Sequence, residues 1–406
     1  MNRRTLLQLL SAATLAGCGQ QPLNAQRLRV VVAGAGIVGA SIAYQLAKAG
    51  ADVTVIDQNG PATQASRGTF AWVNATWAKQ PRSYHALSQE GVANWQDWQA
   101  QLKLPVRWGG SLEWFSNAAR QQRLVEQIEE QVAWGEPARM ANASALRSLE
   151  PKLQISDSTT AAFSPNDGAV DPVIATQKLL AAASTLGATV RYPATLTGTV
   201  TTGTRLKAVE TSVGRIPADR LVLATGAAPD TARRFAGIDI PQRSTPGVIA
   251  ITKPMPRLIE RIVVAPGVHL HQRDDGRVVM GEQAGAPDTA AHDLRLRGRP
   301  TDFPSALIAE QHGRRIRSIA EQFIPSLAAA EIESAVIGWR PLPVDGHPVL
   351  GVNPEQPDVY MAIMHSGVSL APIVGQLAAL EIAEGAMVER LMPYRPTRSF
   401  SDANRY

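Results

Sequence analysis

Cysteine is almost absent from this sequence. Cys18 is the only cysteine among the 406 residues, so no disulfide can form within the chain, and the fold must depend on its core alone. The uncharged stretch before it, residues 5–17, is too short to span a bilayer. It has the length and the leucine and alanine content of the apolar part of a signal peptide.

Concentrated charge of one sign is lacking as well. The chain has 40 Lys and Arg against 35 Asp and Glu, a net charge of +5. The basic residues are scattered, with no basic stripe interleaved with aromatics, which argues against a nucleic-acid partner. Apolar residues make up 45% and charged residues 18%, a composition typical of a folded globular protein. The length favours two domains.

The first 26 residues carry a targeting pattern. Arg3 and Arg4 precede the apolar stretch, and residues 15–18 (Leu-Ala-Gly-Cys) resemble a bacterial lipobox. The arginine pair resembles a twin-arginine export signal. We therefore predict that residues 1–26 are a signal peptide and lipoprotein tether, with Cys18 lipidated. The protein would then lie on the periplasmic face of the bacterial cell envelope, touching the membrane only through this anchor. The alternatives are a start-site error or a chance apolar leader, and with either the protein would be cytoplasmic.

Residues 28–57 predict a strand, a glycine turn, a helix and a second strand that ends in an acid. A β-branched run at residues 28–33 comes first, helical spacing follows at 40–48, and a second strand pattern occupies 52–56. The turn between the first strand and the helix has the form GxGxxG. Its residues and the acid are Gly34, Gly36, Ile37, Val38, Gly39 and Asp57.

Each part of this unit has a chemical reason. Gly34 permits the tight turn, Gly36 lets a pyrophosphate approach the backbone, and Gly39 lets the helix pack on the sheet. The N–H groups at the start of the helix face the phosphates. Asp57 stands where a carboxylate accepts hydrogen bonds from an adenosine ribose. The ensemble predicts a dinucleotide site.

The stretch after Asp57 reads as a loop. Gln58 follows the acid directly, and residues 64–68, which include Ser66 and Arg67, are predicted to turn back over the pyrophosphate. A solvated loop with no ligand is the alternative, because such loops are common.

The remaining chain alternates helices and short strands. Helical patterns lie at 84–102, with Trp95 and Trp98 expected in the core, and after Asp171-Pro172, an N-cap acid followed by proline. Residues 244–282 predict antiparallel strands, with a hairpin turn at 274–276. His269 and His271 lie on one of these strands and are expected on opposite faces of the sheet.

Further motifs occur in a family order. With them the chain resembles the FAD-dependent amine oxidoreductases of the D-amino acid oxidase superfamily, close in layout to glycine oxidase, sarcosine oxidase and D-amino acid dehydrogenase. The resemblance covers about residues 27–390. Besides the glycine turn and Asp57, the motifs are residues 167–172 (Asp-Gly-Ala-Val-Asp-Pro), 224–226 (Ala-Thr-Gly), 338–341 (Gly-Trp-Arg-Pro), 345–351 (Asp-Gly-His-Pro-Val-Leu-Gly) and 364–372 (Met-His-Ser-Gly-Val-Ser-Leu-Ala-Pro).

The resemblance implies an α/β protein, α+β overall. A Rossmann-type FAD-binding domain would carry an inserted substrate domain with a mixed or antiparallel sheet. We assign residues 27–104, 156–242 and 335–406 to the FAD-binding domain. Residues 105–155 and 243–334 are assigned to the substrate domain.

FAD is the implied cofactor, bound without a covalent link because no cysteine lies near the flavin. In addition to the glycine turn, Asp57 and the loop that follows it, the resemblance implies FAD contacts at residue 196, at the 224–226 turn and in the 364–372 motif. These residues are Leu196, Thr225, Gly226, Gly367, Val368 and Ser369.

The implied chemistry is oxidation of a C–N bond in a small amine or amino acid, with hydride transfer to flavin N5 giving an imine. Arg340 stands at the family's carboxylate-binding arginine, where a planar guanidinium holds a carboxylate through two bonds. His269 falls where glycine oxidase has a tyrosine over the substrate, and His365 replaces a second arginine near the flavin. A strand-end ion pair for Arg340 and an interface hydrogen bond for His269 are the structural alternatives.

The electron acceptor stays open between O2 and a quinone-type carrier. Val279 occupies roughly the place of the lysine with which sarcosine oxidases promote the reaction with oxygen, which weakens the oxidase interpretation. Two alternatives remain besides amine oxidation. One is a flavin dehydrogenase of a non-amino-acid substrate that passes electrons to a carrier, and the other is a non-catalytic flavin-bound factor. A nicotinamide dehydrogenase is disfavoured, because the 224–226 turn and the segment 364–372 would have no role in one.

Overall fold

The structure is a computed structural model that describes residues 27–228, 230–283 and 298–401. The predicted signal peptide and Cys18 lie outside the described residues. The strands are Arg29–Ala33 (β1), Asp52–Ile56 (β2), Trp72–Val73 (β3), Val106–Trp108 (β4), Ser111–Glu113 (β5), Arg139–Asn142 (β6), Thr160–Ser164 (β7), Gly168–Val170 (β8), Thr189–Arg191 (β9), Leu196–Thr202 (β10), Arg205–Thr211 (β11), Gly214–Pro217 (β12), Arg220–Leu223 (β13), Gln242–Thr252 (β14), Ile262–Ala265 (β15), Val268–Gln272 (β16), Val278–Glu282 (β17), Ile332–Pro343 (β18), Val349–Asn353 (β19) and Gln356–Ile363 (β20). The α-helices are Ile37–Lys48 (α1), Arg82–Leu102 (α2), Ala118–Ala133 (α3), Ala143–Leu149 (α4), Pro172–Thr185 (α5), Thr231–Ala236 (α6), Ala306–Ala320 (α7) and Gly367–Glu384 (α8).

A six-stranded sheet carries the glycine turn. Its order is β19-β20-β13-β1-β2-β9, and β1 pairs in parallel with both β2 and β13. The β-branched residues of β1 are buried on both faces, as expected of a central parallel strand. Helices α1, α5 and α8 cover one face through a shared apolar core. Helix α8 is long and apolar enough to cross a membrane, but 72% of it is buried inside the protein, so it is a core helix.

An eight-stranded mixed sheet forms the second layer, in the order β18-β14-β17-β16-β15-β5-β7-β6. Only the β15–β5 pair is parallel among its described pairs. Residues alternate between its faces: Leu270 and Met280 join Ile316 of α7 in one core, while Val279 packs with Ile249 and Phe70 on the other face. Ile249 and Phe70 of that second face line the same cleft as the glycine turn.

The local predictions agree well with these elements. Helix α2 begins two residues before the predicted start, and Trp95 and Trp98 are buried in the core. Asp171 caps α5, its Oδ1 accepting from the N–H groups of Val173 and Ile174 at 3.0 Å. Strands β16 and β17 form the predicted antiparallel hairpin, with Gly276 at a φ of +87°.

The predicted fold class, a Rossmann-type unit with an inserted mixed sheet, is confirmed. The strand allocation differs from the predicted boundaries at 155/156 and 334/335, because Thr160–Ser164 and the whole of Ile332–Pro343 belong to the eight-stranded sheet. Both strands connect the two layers, and a connecting strand has no local signal that says which sheet it joins.

Candidate active site

A cleft of about 1820 Å³ extends from the glycine turn to the open face of the eight-stranded sheet. A site for one small ligand usually encloses about 300–1,000 Å³. The cleft therefore has room for a large cofactor and a substrate together. Both predicted ends of the site line it: the glycine turn and Asp57 at one end, and Arg340 and His269 at the other.

The glycine turn is packed so closely that side chains are excluded. A Cβ on Gly34, whose φ is +113°, would lie 2.3 Å from the carbonyl oxygen of Ala224, and one on Gly39 would lie 1.9 Å from that of Gly34. A Cβ on Gly36 would lie 3.2 Å from the Ser66 Oγ, which accepts from the Ile37 N–H at 3.0 Å. The turn therefore presents bare backbone to the cleft at the start of α1, where a helix attracts phosphate.

Asp57 supports the turn as well as facing the cleft. Its Oδ2 accepts from the Ala35 N–H at 2.8 Å, and its Oδ1 accepts from the N–H groups of Asn59 and Gly60 at 2.9 Å. Each carboxylate oxygen has further acceptor capacity, so these bonds orient the group without using it up. Gln58 and Leu196 line the same end of the cleft.

One polar group in this part of the cleft lacks a partner. The Oγ1 of Thr225 is buried and makes no hydrogen bond with any residue that the structure describes. It lies on the cleft wall beside Gly226, whose φ is +59°. Buried hydroxyls nearly always have a partner, so this one points to a polar ligand at the cleft wall.

The N-terminus of α8 closes the same end. Ser366 precedes it with a φ of +59°, and Gly367, Val368 and Ser369 all line the cleft. Ser369 is committed to the chain itself, since its Oγ donates to the Trp72 carbonyl at 3.0 Å and accepts from the Asn74 N–H at 3.1 Å. Ser369 therefore fixes residues 72–74, which follow the loop 64–68 predicted to contact the cofactor.

His365 lies at this helix start and lines the cleft. Its Nδ1 is 3.2 Å from the Ser366 Oγ.

Arg67 is placed differently from its prediction. Its guanidinium pairs with the carboxylate of Asp302 at 2.5 Å and donates to the Thr301 carbonyl at 3.2 Å. Arg67 therefore pairs with an acid and does not belong to the cleft lining that its neighbours Ser66 and Gly68 join.

Arg340 and His269 come together because two neighbours are glycines. A Cβ on Gly247 would lie 2.8 Å from an Nη of Arg340, and a Cβ on Gly281 would lie 2.2 Å from the Nε2 of His269. The two side chains thus lie over the bare backbones of β14 and β17, which are adjacent in the sheet. No carboxylate of the described residues forms an ion pair with Arg340, which leaves its two-pronged donor face available to a ligand anion.

Burial and the positive charge of Arg340 lower the pKa of His269 to about 3. The imidazole is therefore neutral at physiological pH and serves as a hydrogen-bonding group rather than a cation. Its ring meets Phe70 edge-on, with centroids 4.2 Å apart. The ring of His271 also meets Phe70, at 4.9 Å, and its Nε2 lies 3.0 Å from the Phe70 carbonyl oxygen. The prediction that the two histidines face opposite ways was wrong, because residues two apart share one face of a strand.

Sequence reasoning missed a buried acidic corner of the cleft. Glu113 is 2% exposed, lines the cleft and accepts a hydrogen bond from the Trp77 indole. Behind it, one oxygen of Asp167 accepts from Thr76 at 2.6 Å and from Ser111 at 2.7 Å. Burial raises the pKa of Glu113 to about 8 and that of Asp167 to about 6. The available signal was an acid beside Leu112 and Trp114 in a short stretch with a strand pattern.

Comparison with known proteins agrees with this arrangement. The family model of DAO, FAD dependent oxidoreductase, matches residues 29–380. The chain belongs to this family. It is therefore an enzyme with FAD as its cofactor, as predicted. The packed glycine turn, the unpartnered Thr225 hydroxyl and the N-terminus of α8 on the cleft wall fit that cofactor.

Three relatives illustrate the likeness. The oxidoreductase YurR of Bacillus subtilis is 28% identical over 395 residues, which cover 90% of this chain and 98% of that protein. Glycine oxidase of Geobacillus kaustophilus is 22% identical over 92% of this chain and 97% of its own length. The solved structure of iminodiacetate oxidase from Chelativorans sp. BNC1 has a TM-score of 0.70 and 26% identity, covering 91% of this chain and 99% of that one.

Proposed function

We propose that this family member oxidises a C–N bond of a small amine or amino acid. Bound FAD would supply the electron acceptor for this reaction: it would take a hydride from the carbon beside the nitrogen, the nitrogen would lose a proton, and water would hydrolyse the imine that results. Glycine oxidase and iminodiacetate oxidase, both similar over most of the chain, carry amino-acid names that support this substrate class. The observation that carries the proposal is the meeting of Arg340 and His269 in the cleft.

Arg340 is proposed to hold the substrate carboxylate. Its position over Gly247 is fixed by the β14–β18 pairing, in which Gly247 lies opposite Gly338. Gly338 in turn contacts the cofactor-side loop, because a Cβ on it would lie 2.2 Å from the carbonyl oxygen of Gly68. This contact links the carboxylate site to the loop beside the glycine turn.

His269 is proposed to orient the substrate nitrogen. A neutral imidazole can accept a hydrogen bond from an amine and, unlike a cation, does not repel it. With its pKa near 3, His269 is too weak a base to take up the substrate proton at neutral pH. Phe70 packs against the ring and restricts its motion.

His365 is proposed to act with the N-terminus of α8. Both lie at the cofactor end of the cleft, where the positive end of a helix dipole stabilises negative charge. That is the charge that a reduced cofactor acquires.

The acceptor and the location are proposed together. We infer that electrons pass to O2 or to a quinone-type carrier, and that Cys18 anchors the protein by lipid at the periplasmic face after twin-arginine export. A lipid tether would place the enzyme beside membrane quinones. Cell fractionation of a Cys18→Ser variant tests the anchor: release from the membrane fraction is expected, and retention would contradict it.

The test of function is an anaerobic absorbance titration of the holoenzyme with glycine, sarcosine, D-amino acids and polyamines. Loss of the oxidised-flavin band with one of them is expected, and readmitting air then distinguishes O2 from another acceptor. A flavin band that no amine bleaches would contradict the proposal and favour a non-amine substrate or a non-catalytic role.

A further inference from the structure

The carboxylate of Glu113 has unused capacity toward the cleft. One of its oxygens accepts from the Trp77 indole N–H, while no other described residue donates to the side chain. Its strand neighbours explain its direction: Leu112 belongs to the core on the α7 side of the sheet, so Ser111 and Glu113 point to the opposite, cleft side.

Glu113 and His269 share one row across the eight-stranded sheet. Val264 lies opposite Glu113 on one side and opposite His269 on the other. Residues opposite one another in register present their side chains on the same face. Strands lie about 4.8 Å apart, so two strand steps put the Glu113 and His269 backbones about 10 Å apart. An extended basic side chain bridges such a span once the reach of the glutamate is included.

Among the described residues, the charged groups that face Glu113 include no cation that forms an ion pair with it. Asp167, on the turn before β8, repels its charge, and its Oδ2 already accepts from three side chains. Arg120 of α3 is a nearby cation whose charge lowers the pKa of Glu113, although burial raises it more. Arg120 packs over the Phe115 ring, 4.4 Å from the centroid, and forms no ion pair with Glu113. His269, along the row, is neutral. A buried carboxylate is unfavourable without a charged partner, and a cation arriving from the cleft would supply one.

We propose that Glu113 is a specificity-determining residue that binds a second, cationic nitrogen of the substrate. This inference rests on the proposed function: the substrate would be a basic amino acid with its carboxylate at Arg340, its reacting amine near His269 and its distal ammonium or guanidinium at Glu113. A neutral side chain of equal length would leave the glutamate with only its indole donor.

The proposal has a consequence for protons. With a pKa of about 8 in the free protein, Glu113 is mostly protonated at pH 7, and a cation binds its ionised form. Binding of the distal nitrogen is therefore expected to release a proton at pH 7 and to strengthen as the pH rises toward 9. A ligand that lacks the distal nitrogen is expected to show neither effect.

The experiment measures binding rather than turnover. Calorimetry of the anaerobic holoenzyme compares 6-aminohexanoate with hexanoate, two carboxylates that differ in the distal ammonium and that lack an amine at the reacting carbon. In the wild type we expect 6-aminohexanoate to bind at least tenfold more tightly at pH 9. Glu113→Gln keeps an oxygen acceptor for Trp77 and is expected to reduce this ratio to about one without weakening hexanoate.

Glu129→Gln serves as the matched control, because Glu129 is an exposed acid on α3; it is expected to keep the wild-type ratio. Equal binding of the two ligands by the wild type would overturn the proposal, as would equal weakening of both by Glu113→Gln. The proposed function fails on a different result, namely a flavin that no amine reduces. The two failures are distinguishable because the binding ratio does not depend on turnover.

Discussion

The cofactor end and the substrate end of the cleft are built differently. At the cofactor end, the site is formed mainly by backbone without side chains: Gly34 and Gly39 pack against carbonyl oxygens, and the turn lies within residues 34–39. At the substrate end, side chains from widely separated strands meet, as Arg340, His269 and Glu113 do on three strands of one sheet.

This difference has a physical cause. A phosphate site needs N–H groups, which every residue supplies, so local conformation alone can build it. A site that recognises a carboxylate, an amine or a cation needs particular side chains at particular separations. Strand register provides those separations, and register is set by the whole sheet.

The largest expected effect is the loss of flavin binding when a glycine of the turn is replaced by alanine. Gly34→Ala places a Cβ 2.3 Å from the Ala224 carbonyl oxygen at a φ of +113°. The atoms that this Cβ would meet are backbone atoms of Ala224 and Thr225, which cannot move aside as the end of a flexible side chain can. We expect little or no flavin to remain bound, measured as flavin absorbance per protein. Gly187→Ala is the control: its φ is +100° with nothing within 4 Å, so it should cost only about 1–2 kcal/mol and keep the flavin.

The substrate end should lose function without losing flavin. Arg340→Lys keeps the charge but not the two-pronged geometry, and Arg340→Ala removes both. We expect kcat/KM for a carboxylated amine to fall about a hundredfold in the alanine variant, since bonds to charged groups contribute roughly 1.5–3 kcal/mol. The matched amine without a carboxylate should be unaffected. Equal loss for both amines would contradict the carboxylate assignment, and Arg123→Ala, at the cleft rim, is the control.

The sequence was sufficient for the glycine turn and for single elements. The glycine turn, the Asp171 cap and the 274–276 hairpin are local patterns, and each was predicted. Glu113 escaped notice because a lone acid in a strand does not say which face it occupies or what lies opposite. Gly247 and Gly281 look like ordinary strand glycines until the register shows which side chains lie over them.

One of those glycines offers a sharper test of the substrate end. A Cβ on Gly281 would lie 2.2 Å from the Nε2 of His269, so Gly281→Ala must displace the imidazole. We expect about a tenfold loss in kcat/KM, within the range of about 0.5–3 kcal/mol for coupled neighbours, with flavin content unchanged. In a His269→Ala background the same change should have little further effect. Additive losses would mean that Gly281 acts on something other than His269.

The smallest expected effect concerns stability and isolates Glu113. Because burial raises its pKa from 4.5 to about 8, the folded state holds a proton there that the unfolded state gives up between these values. Glu113 therefore favours folding below pH 4.5, and that contribution is lost as the pH rises through about 8. Glu113→Gln has no proton to lose, so its Tm should exceed that of the wild type by a few degrees at pH 9 and by little at pH 5. His269 is common to both proteins and cancels in the comparison. The repulsion from Asp167 is part of the difference, because it helps to raise the pKa of Glu113. A Tm difference that does not change with pH would mean that Glu113 is ionised throughout, with a charged partner already in place.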